Sequence, residues 1–175
     1  RSAMAEEQVI LVDAQDREIG TLEKLAAHRN GGVLHRAFSV FLVDPQGRWL
    51  LQQRAAGKYH FPNLWTNSCC SHPRPGEQTA DAARRRLREE LGLDCPLTER
   101  FQFVYRATSE AEGLTEHEFD HVFTGVYSGE IRPDPEEVAA VRWIAPAVLE
   151  REVREHPGRF TPWFKIALER VRQVI

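Results

Sequence analysis

Apolar residues run along this chain in short alternating or continuous stretches, interrupted once near the middle and twice near the end by helical spacing. Residues 9–12 read as a strand, followed by turn chemistry over 13–20 and by Thr21-Leu-Glu-Lys24, which could open a short helix. Residues 37–43 and 49–53, joined by Asp44-Pro45-Gln46-Gly47, predict a hairpin. From 57 to 75 neither period is sustained, so the Pro, Asn, Ser, His and aromatic residues there predict a long loop. Loops of that length in compact domains usually serve function. Ala80, Ala83, Leu87 and Leu91 recur at three- and four-residue steps and predict a helix capped by Thr79 and ended by Gly92. Residues 100–107, 116–127 and 138–144 predict strands, the first two separated by a polar loop over 109–115. Residues 146–156 and 162–174 predict helices with a proline in the first turn; in the second, Trp163, Ile166, Ala167, Val171 and Val174 share a face. This order predicts a mixed β-sheet with helices packed on it, an α+β or α/β layered domain.

Composition narrows the picture. A chain of 175 residues with 42% hydrophobic content can bury one good core, so residues 4–175 are expected to form a single domain. Arg1-Ser2-Ala3 precede the chain's one methionine, Met4, and are expected to be an expression remnant. The net charge of -3, from 26 acidic and 23 basic residues, offers no basic excess that would nominate nucleic acid as the main partner. No apolar run approaches the roughly 20 residues of a membrane helix, and the first residues lack a signal-peptide stretch, so no membrane partner and a cytoplasmic location are expected. Cys69, Cys70 and Cys95 are odd in number, with two adjacent, and are expected to be free thiols.

Three groups of residues carry candidate chemistry. Glu116 and Glu118 lie two apart on a predicted strand and project from one face. With Asp120 they form either a solvent-facing row or a carboxylate pair neutralised by a hard divalent cation. His28, His35 and His72 match no short zinc signature, and Cys70 with His72 is half a zinc site, a nucleophile with its base, or a coincidence. On the central helix, Arg85/Glu89 and Arg86/Glu90 stand at the four-residue step. They are either surface ion pairs worth about 0.3–0.5 kcal/mol each, or, for Arg86 and Glu90, a phosphate fork and a ligand to phosphate-bound Mg²⁺. Lys24, Arg54 and Lys58 could add positive charge to such a site.

Together these residues resemble a known family. Ser71, Glu77 and Arg85-Arg86-Leu87-Arg88-Glu89-Glu90-Leu91-Gly92-Leu93 are similar to a degenerate Nudix box, with Ser71 in place of its first Gly and Arg86 in place of a Glu that Nudix hydrolases use around their catalytic metal. Thr21-Leu-Glu-Lys24, Ala27-His28, Leu34-His35-Arg-Ala-Phe-Ser39, Trp65-Thr-Asn-Ser-Cys-Cys70-Ser-His72-Pro73, Tyr105-Arg-Ala107 and Glu116-His-Glu118 resemble type I isopentenyl-diphosphate isomerases, from about Val9 to Trp163 and in the same order. The resemblance implies a Nudix fold, a mixed sheet sandwiched by helices. It implies a site for Mn²⁺, Mg²⁺ or Zn²⁺ made of His28, His35, His72, Glu116 and Glu118, a second ion, Mg²⁺, held by Glu90 and the substrate diphosphate, and no flavin. Lys24, Arg54, Lys58 and Arg86 match the family's diphosphate-contacting positions.

The implied reaction turns isopentenyl diphosphate into dimethylallyl diphosphate, for isoprenoid biosynthesis, through a tertiary carbocation. Such a cation must be made in a pocket closed to water, and two proton-handling groups must face the flat hydrocarbon from opposite sides. By resemblance these are Cys70 and Glu118, with Tyr105 relaying the proton of Glu118. Trp163 matches a family tryptophan and either stabilises the cation through its ring or packs a terminal helix. Alternatives are a Nudix-type diphosphate hydrolase, weighed against by Arg86 and Cys70, and a non-catalytic metal-binding module. A monomer or weak dimer is expected.

Overall fold

Nine residues of strand, His35–Val43, organise the molecule, because their alternating side chains feed two different layers. The computed structural model describes residues 7–175; the readings of residues 1–3 as a remnant and of Met4 as the start lie outside them. In chain order the elements are β1 (Gln8–Val12), β2 (Glu18–Glu23), α1 (Lys24–Ala27), β3 (His35–Val43), β4 (Trp49–Arg54), β5 (Trp65–Thr66), β6 (Cys69–Ser71), α2 (Thr79–Leu91), β7 (Thr98–Ser109), β8 (Leu114–Val126), β9 (Val138–Ile144), α3 (Pro146–Glu155) and α4 (Pro162–Val174). The strands form one mixed sheet. Along one edge β3 pairs in parallel with β8, from His35↔Glu118 to Val43↔Val126. Its other edge is taken in turn by β1 at His35, by β6 at Phe38, Ser39 and Val40, and by β4 at Leu42 and Val43.

Phe38, Val40 and Leu42 point to one face, where Ala82, Ala83, Leu87 and Leu91 of α2 cover them. Phe41 points to the other, where it joins Val122 of β8 and Trp163, Phe164 and Val171 of α4. Burying each large side chain here contributes about 1.5–3 kcal/mol. Helices on both faces of a mixed sheet match the predicted architecture, and Gly92 ends α2 in the left-handed conformation (φ 65°) as its position suggests.

The helices differ from the periodic expectation in phase and at their ends. On α2 the buried residue is Ala82, while Ala80 is exposed, and the N-cap is Gln78, one residue before Thr79. On α4 Ile166 is 53% exposed, and Phe164 and Leu168 are buried in its stead. A 3.6-residue period leaves several phases open, and the sheet beneath selects one. Thr21, Leu22 and Glu23 finish β2, and α1 starts only at Lys24, with the Glu23 carboxylate accepting from the Leu25 and Ala26 N–H groups.

The predicted loop over 57–75 contains β5 and β6. Its polar residues are buried because their side chains do the work of a ladder. Asn67 Nδ2 donates to Val40 O (3.0 Å) and Cys69 O (2.8 Å), and Ser68 Oγ accepts from Leu42 N (2.9 Å) and donates to Leu50 O (2.7 Å). Buried backbone groups must find partners, and here a Thr-Asn-Ser run supplies them to the centre of the sheet.

Candidate active site

The first halves of β3 and β8 place carboxylates and imidazoles on one face. Glu116, Glu118 and Asp120 alternate along β8 as expected, yet all are buried, so the solvent-facing alternative is excluded. Register sets His35 beside Glu118 and Tyr105 of β7 on its other side. The Tyr105 hydroxyl bonds Glu118 Oε1 closely and lies 3.1 Å from Glu116 Oε1, so one hydrogen serves two carboxylates.

His28 caps the C-terminus of α1, and its carbonyl accepts from Thr115 N (2.8 Å), which pins α1 to the start of β8. That approach requires Gly32, at φ +80°, where an added Cβ would stand 3.0 Å from Thr115 O. His28 Nδ1 lies 2.7 Å from Lys24 O and His35 Nδ1 2.7 Å from Val33 O. A carbonyl only accepts, so both hydrogens sit on Nδ1 and, in the neutral rings, both Nε2 lone pairs face inward. His35 Nε2 is 3.2 Å and His72 Nε2 2.8 Å from Glu118 Oε2. His28 Nε2 is buried without a partner among the described residues.

Burial and neighbouring imidazoles pull His28 and His72 below the ordinary histidine range. Burial also works against charge on His35, but Glu118 outweighs it and holds His35 up. Burial likewise opposes charge on Glu118, but His35 and the surrounding hydrogen bonds hold it down to about 2. Glu118 draws positive charge onto His35, a charge that a divalent cation can supply instead, and oxygen and nitrogen donors of His28, His35, His72 and Glu118 all lie within 4.8 Å of one another. The residues present therefore fit a divalent metal.

Glu116 falls in an adjoining group with His28 and His60. Nothing in the spacing of His60 marks it as a site residue; only the fold sets its Nε2 2.7 Å from Glu116 Oε2.

Alternation on β6 separates the two neighbouring cysteines. Cys69 is sealed among the residues under α2, whereas Cys70, paired with Ser39 of β3, turns toward the cavity that Glu118, Tyr105 and Trp163 also line. Burial pushes the Cys70 thiol far above the usual range, so it carries its proton at neutral pH. Trp163 is 2% exposed, with Nε1 donating to Asn67 Oδ1 (3.2 Å) and the Arg54 guanidinium 5.5 Å over its ring. It both packs α4 and lines the cavity.

Lys24, Lys58 and Arg86 gather around Glu137 and, with Arg54, line that cavity, whose free volume is about 40 Å³. A neighbouring pocket of about 370 Å³ shares Lys24, Ser71, His72 and Arg86 with it. Lys24 bonds Glu7 (3.0 Å), Lys58 bonds Glu137 (2.6 Å), and Arg86 reaches Glu90 (2.6 Å), Glu89 (2.6 Å) and Glu137 (3.2 Å). Glu90 is buried behind Arg86 and Gln52 and is not brought to the histidines.

The fold and this metal-fitting, acid-lined cavity define a Nudix protein: residues 33–164 match the NUDIX domain family. A protein of Deinococcus radiodurans solved by crystallography superposes with a TM-score of 0.69 at 22% identity, covering 86% of this chain and 90% of that one. The MutT protein of Methanosarcina mazei superposes with a TM-score of 0.66 at 15% identity, covering 80% and 94%. Both speak for the fold alone. Isopentenyl-diphosphate Delta-isomerase 2 of Aromatoleum aromaticum is 52% identical over 95% of this chain and 87% of its own length. The Burkholderia multivorans isopentenyl-diphosphate Delta-isomerase is 52% identical over 94% and 93%. The chain belongs to the isopentenyl-diphosphate Delta-isomerase family of the Nudix superfamily.

Proposed function

We propose that the protein isomerises isopentenyl diphosphate to dimethylallyl diphosphate. The observation that carries this reading is the opening of a thiol, Cys70, and a carboxylate, Glu118, onto one cavity that Lys24, Arg54, Lys58 and Arg86 also line. Cys70 and Glu118 are two proton-handling groups on one cavity, one to give a proton and the other to take one. That division suits addition of a proton to one end of an alkene and removal from the other. Tyr105 holds Glu118 in place and can take up or return its proton. The Trp163 ring, already under Arg54, offers a π face to a carbocation, and the aromatic walls exclude water that would trap it. Lys24, Arg54, Lys58 and Arg86 bind the diphosphate and orient the five-carbon chain.

His28, His35, His72, Glu116 and Glu118 would hold Mn²⁺, Mg²⁺ or Zn²⁺, and Glu90 a Mg²⁺ shared with the diphosphate. The bound charge supplies orientation and acidity tuning to Glu118. Residues 4–175 act as one domain on a small-molecule substrate in the cytoplasm, as a monomer or weak dimer. No helix among the described residues is long and apolar enough to cross a membrane.

Incubation with isopentenyl diphosphate, Mg²⁺ and Mn²⁺ in D₂O tests this reading. Deuterium appearing in an intact C5 diphosphate is the expected result. Released phosphate would make the protein a hydrolase, and an unchanged substrate would leave only a binding module.

A further inference from the structure

Four imidazoles crowd this site, not three. The His28 ring stands 4.9 Å from both His35 and His60, and His60 is stacked on Tyr59 at 4.5 Å. A buried histidine beside His28, 2.7 Å from the Glu116 carboxylate, looks like one more metal ligand. Its other nitrogen says otherwise. Arg54 Nη2 lies 3.1 Å from His60 Nδ1, and the same guanidinium is fixed by His60 O (3.0 Å from Nη2) and Phe61 O (3.0 Å from Nε). A guanidinium has donors only, so His60 Nδ1 must present its lone pair, and the hydrogen of the neutral ring goes to Nε2. His28 and His35 are the opposite case, since backbone carbonyls keep their hydrogens on Nδ1 and leave Nε2 bare.

We infer that His60 is a positioning residue and not a metal ligand. Held by Arg54 as the Nε2–H tautomer, it presents its hydrogen beside the Glu116 carboxylate and so links Arg54 to Glu116. The contact with Glu116 is electrostatic proximity, because the N–H points off the line to Oε2. A ring with a hydrogen on its inward nitrogen cannot donate that nitrogen to an ion, so the tautomer decides which imidazoles coordinate. When the Arg54 guanidinium engages a diphosphate, its grip on His60 Nδ1 competes with the new oxygens, which gives substrate a route to Glu116. The link to substrate rests on the isomerase reading; the tautomer does not.

The test is therefore direct. In protein with ¹⁵N-labelled histidine, long-range proton–nitrogen correlations should show His60 protonated on Nε2 in the metal-free protein and unchanged after loading with Zn²⁺, while the Nε2 signals of His28 and His35 move. Movement of His60 Nε2 on loading would overturn the inference. In Arg54→Met, whose guanidinium is gone, the His60 hydrogen is expected to shift toward Nδ1; an unaltered tautomer would refute the role given to Arg54. His60→Leu should leave the visible spectrum and stoichiometry of bound Co²⁺ unchanged, while kcat/KM falls about 10–100-fold and His60→Gln restores part of it. A changed Co²⁺ spectrum in His60→Leu would make His60 a ligand. The nitrogen and cobalt signatures need no turnover, so they stand or fall separately from the D₂O assay.

Discussion

The two ends of the cavity solve opposite electrostatic problems. At the imidazole end, His28 and His35 are turned by Lys24 O and Val33 O so that Nε2 faces inward, and Glu118 favours positive charge on His35. At the guanidinium end every lysine and Arg86 already has a carboxylate: Glu7 for Lys24, Glu137 for Lys58, Glu90 for Arg86. The first end is incomplete without a cation; the second is closed until an anion competes with its own carboxylates. A resident ion and a transient diphosphate are what these two arrangements fit.

The largest expected effect strikes the chemistry between the ends. Cys70→Ala should lower kcat by about 10³-fold or more, with metal content and substrate affinity close to wild type; retained turnover would remove Cys70 from its role. Stripping the ion with a chelator comes next. At an ion concentration about 100 times Kd, binding stabilises by about 2.7 kcal/mol, so calorimetry should show Tm falling by about 5–10 °C. The fall should vanish in His35→Ala, and its persistence there would place the ion elsewhere. Glu90→Gln should raise KM about 10-fold or more without emptying the histidine site, as metal analysis beside substrate titration would reveal. The smallest effect belongs to Glu137→Gln. Freeing Lys58 and Arg86 from an internal competitor should change KM downward by about 3-fold or less. A rise would assign Glu137 to the substrate or its ion, and would end the view of it as a mere counter-charge.

Much of the frame was legible before the structure. The spans of α2 and α4, the 44–47 turn, β9 and the shared face of Glu116 and Glu118 follow from local periods and turn chemistry, which depend on neighbours a few residues away. The same alternation puts His121 on the face opposite Glu118, where it pairs with Asp16 (2.8 Å) and Glu99 (2.7 Å), away from the cavity. Strands inside the 57–75 segment were invisible because its backbone is satisfied by Asn67 and Ser68 side chains and not by an apolar rhythm.

The sequence by itself determined which residue types were available and, through alternation and helical spacing, which of them share a face: Glu116 with Glu118, Arg86 with Glu90. Only the tertiary structure decided whether a face meets water or another layer, and so that Glu116, Glu118 and Asp120 are buried and that Ala82, not Ala80, lies under the sheet. It alone brought His60 to Glu116 and set the hydrogens of three imidazoles through Lys24 O, Val33 O and Arg54. Several of these links join residues far apart in the chain, where geometry is settled by packing, and a tautomer depends on whichever donor or acceptor packing delivers.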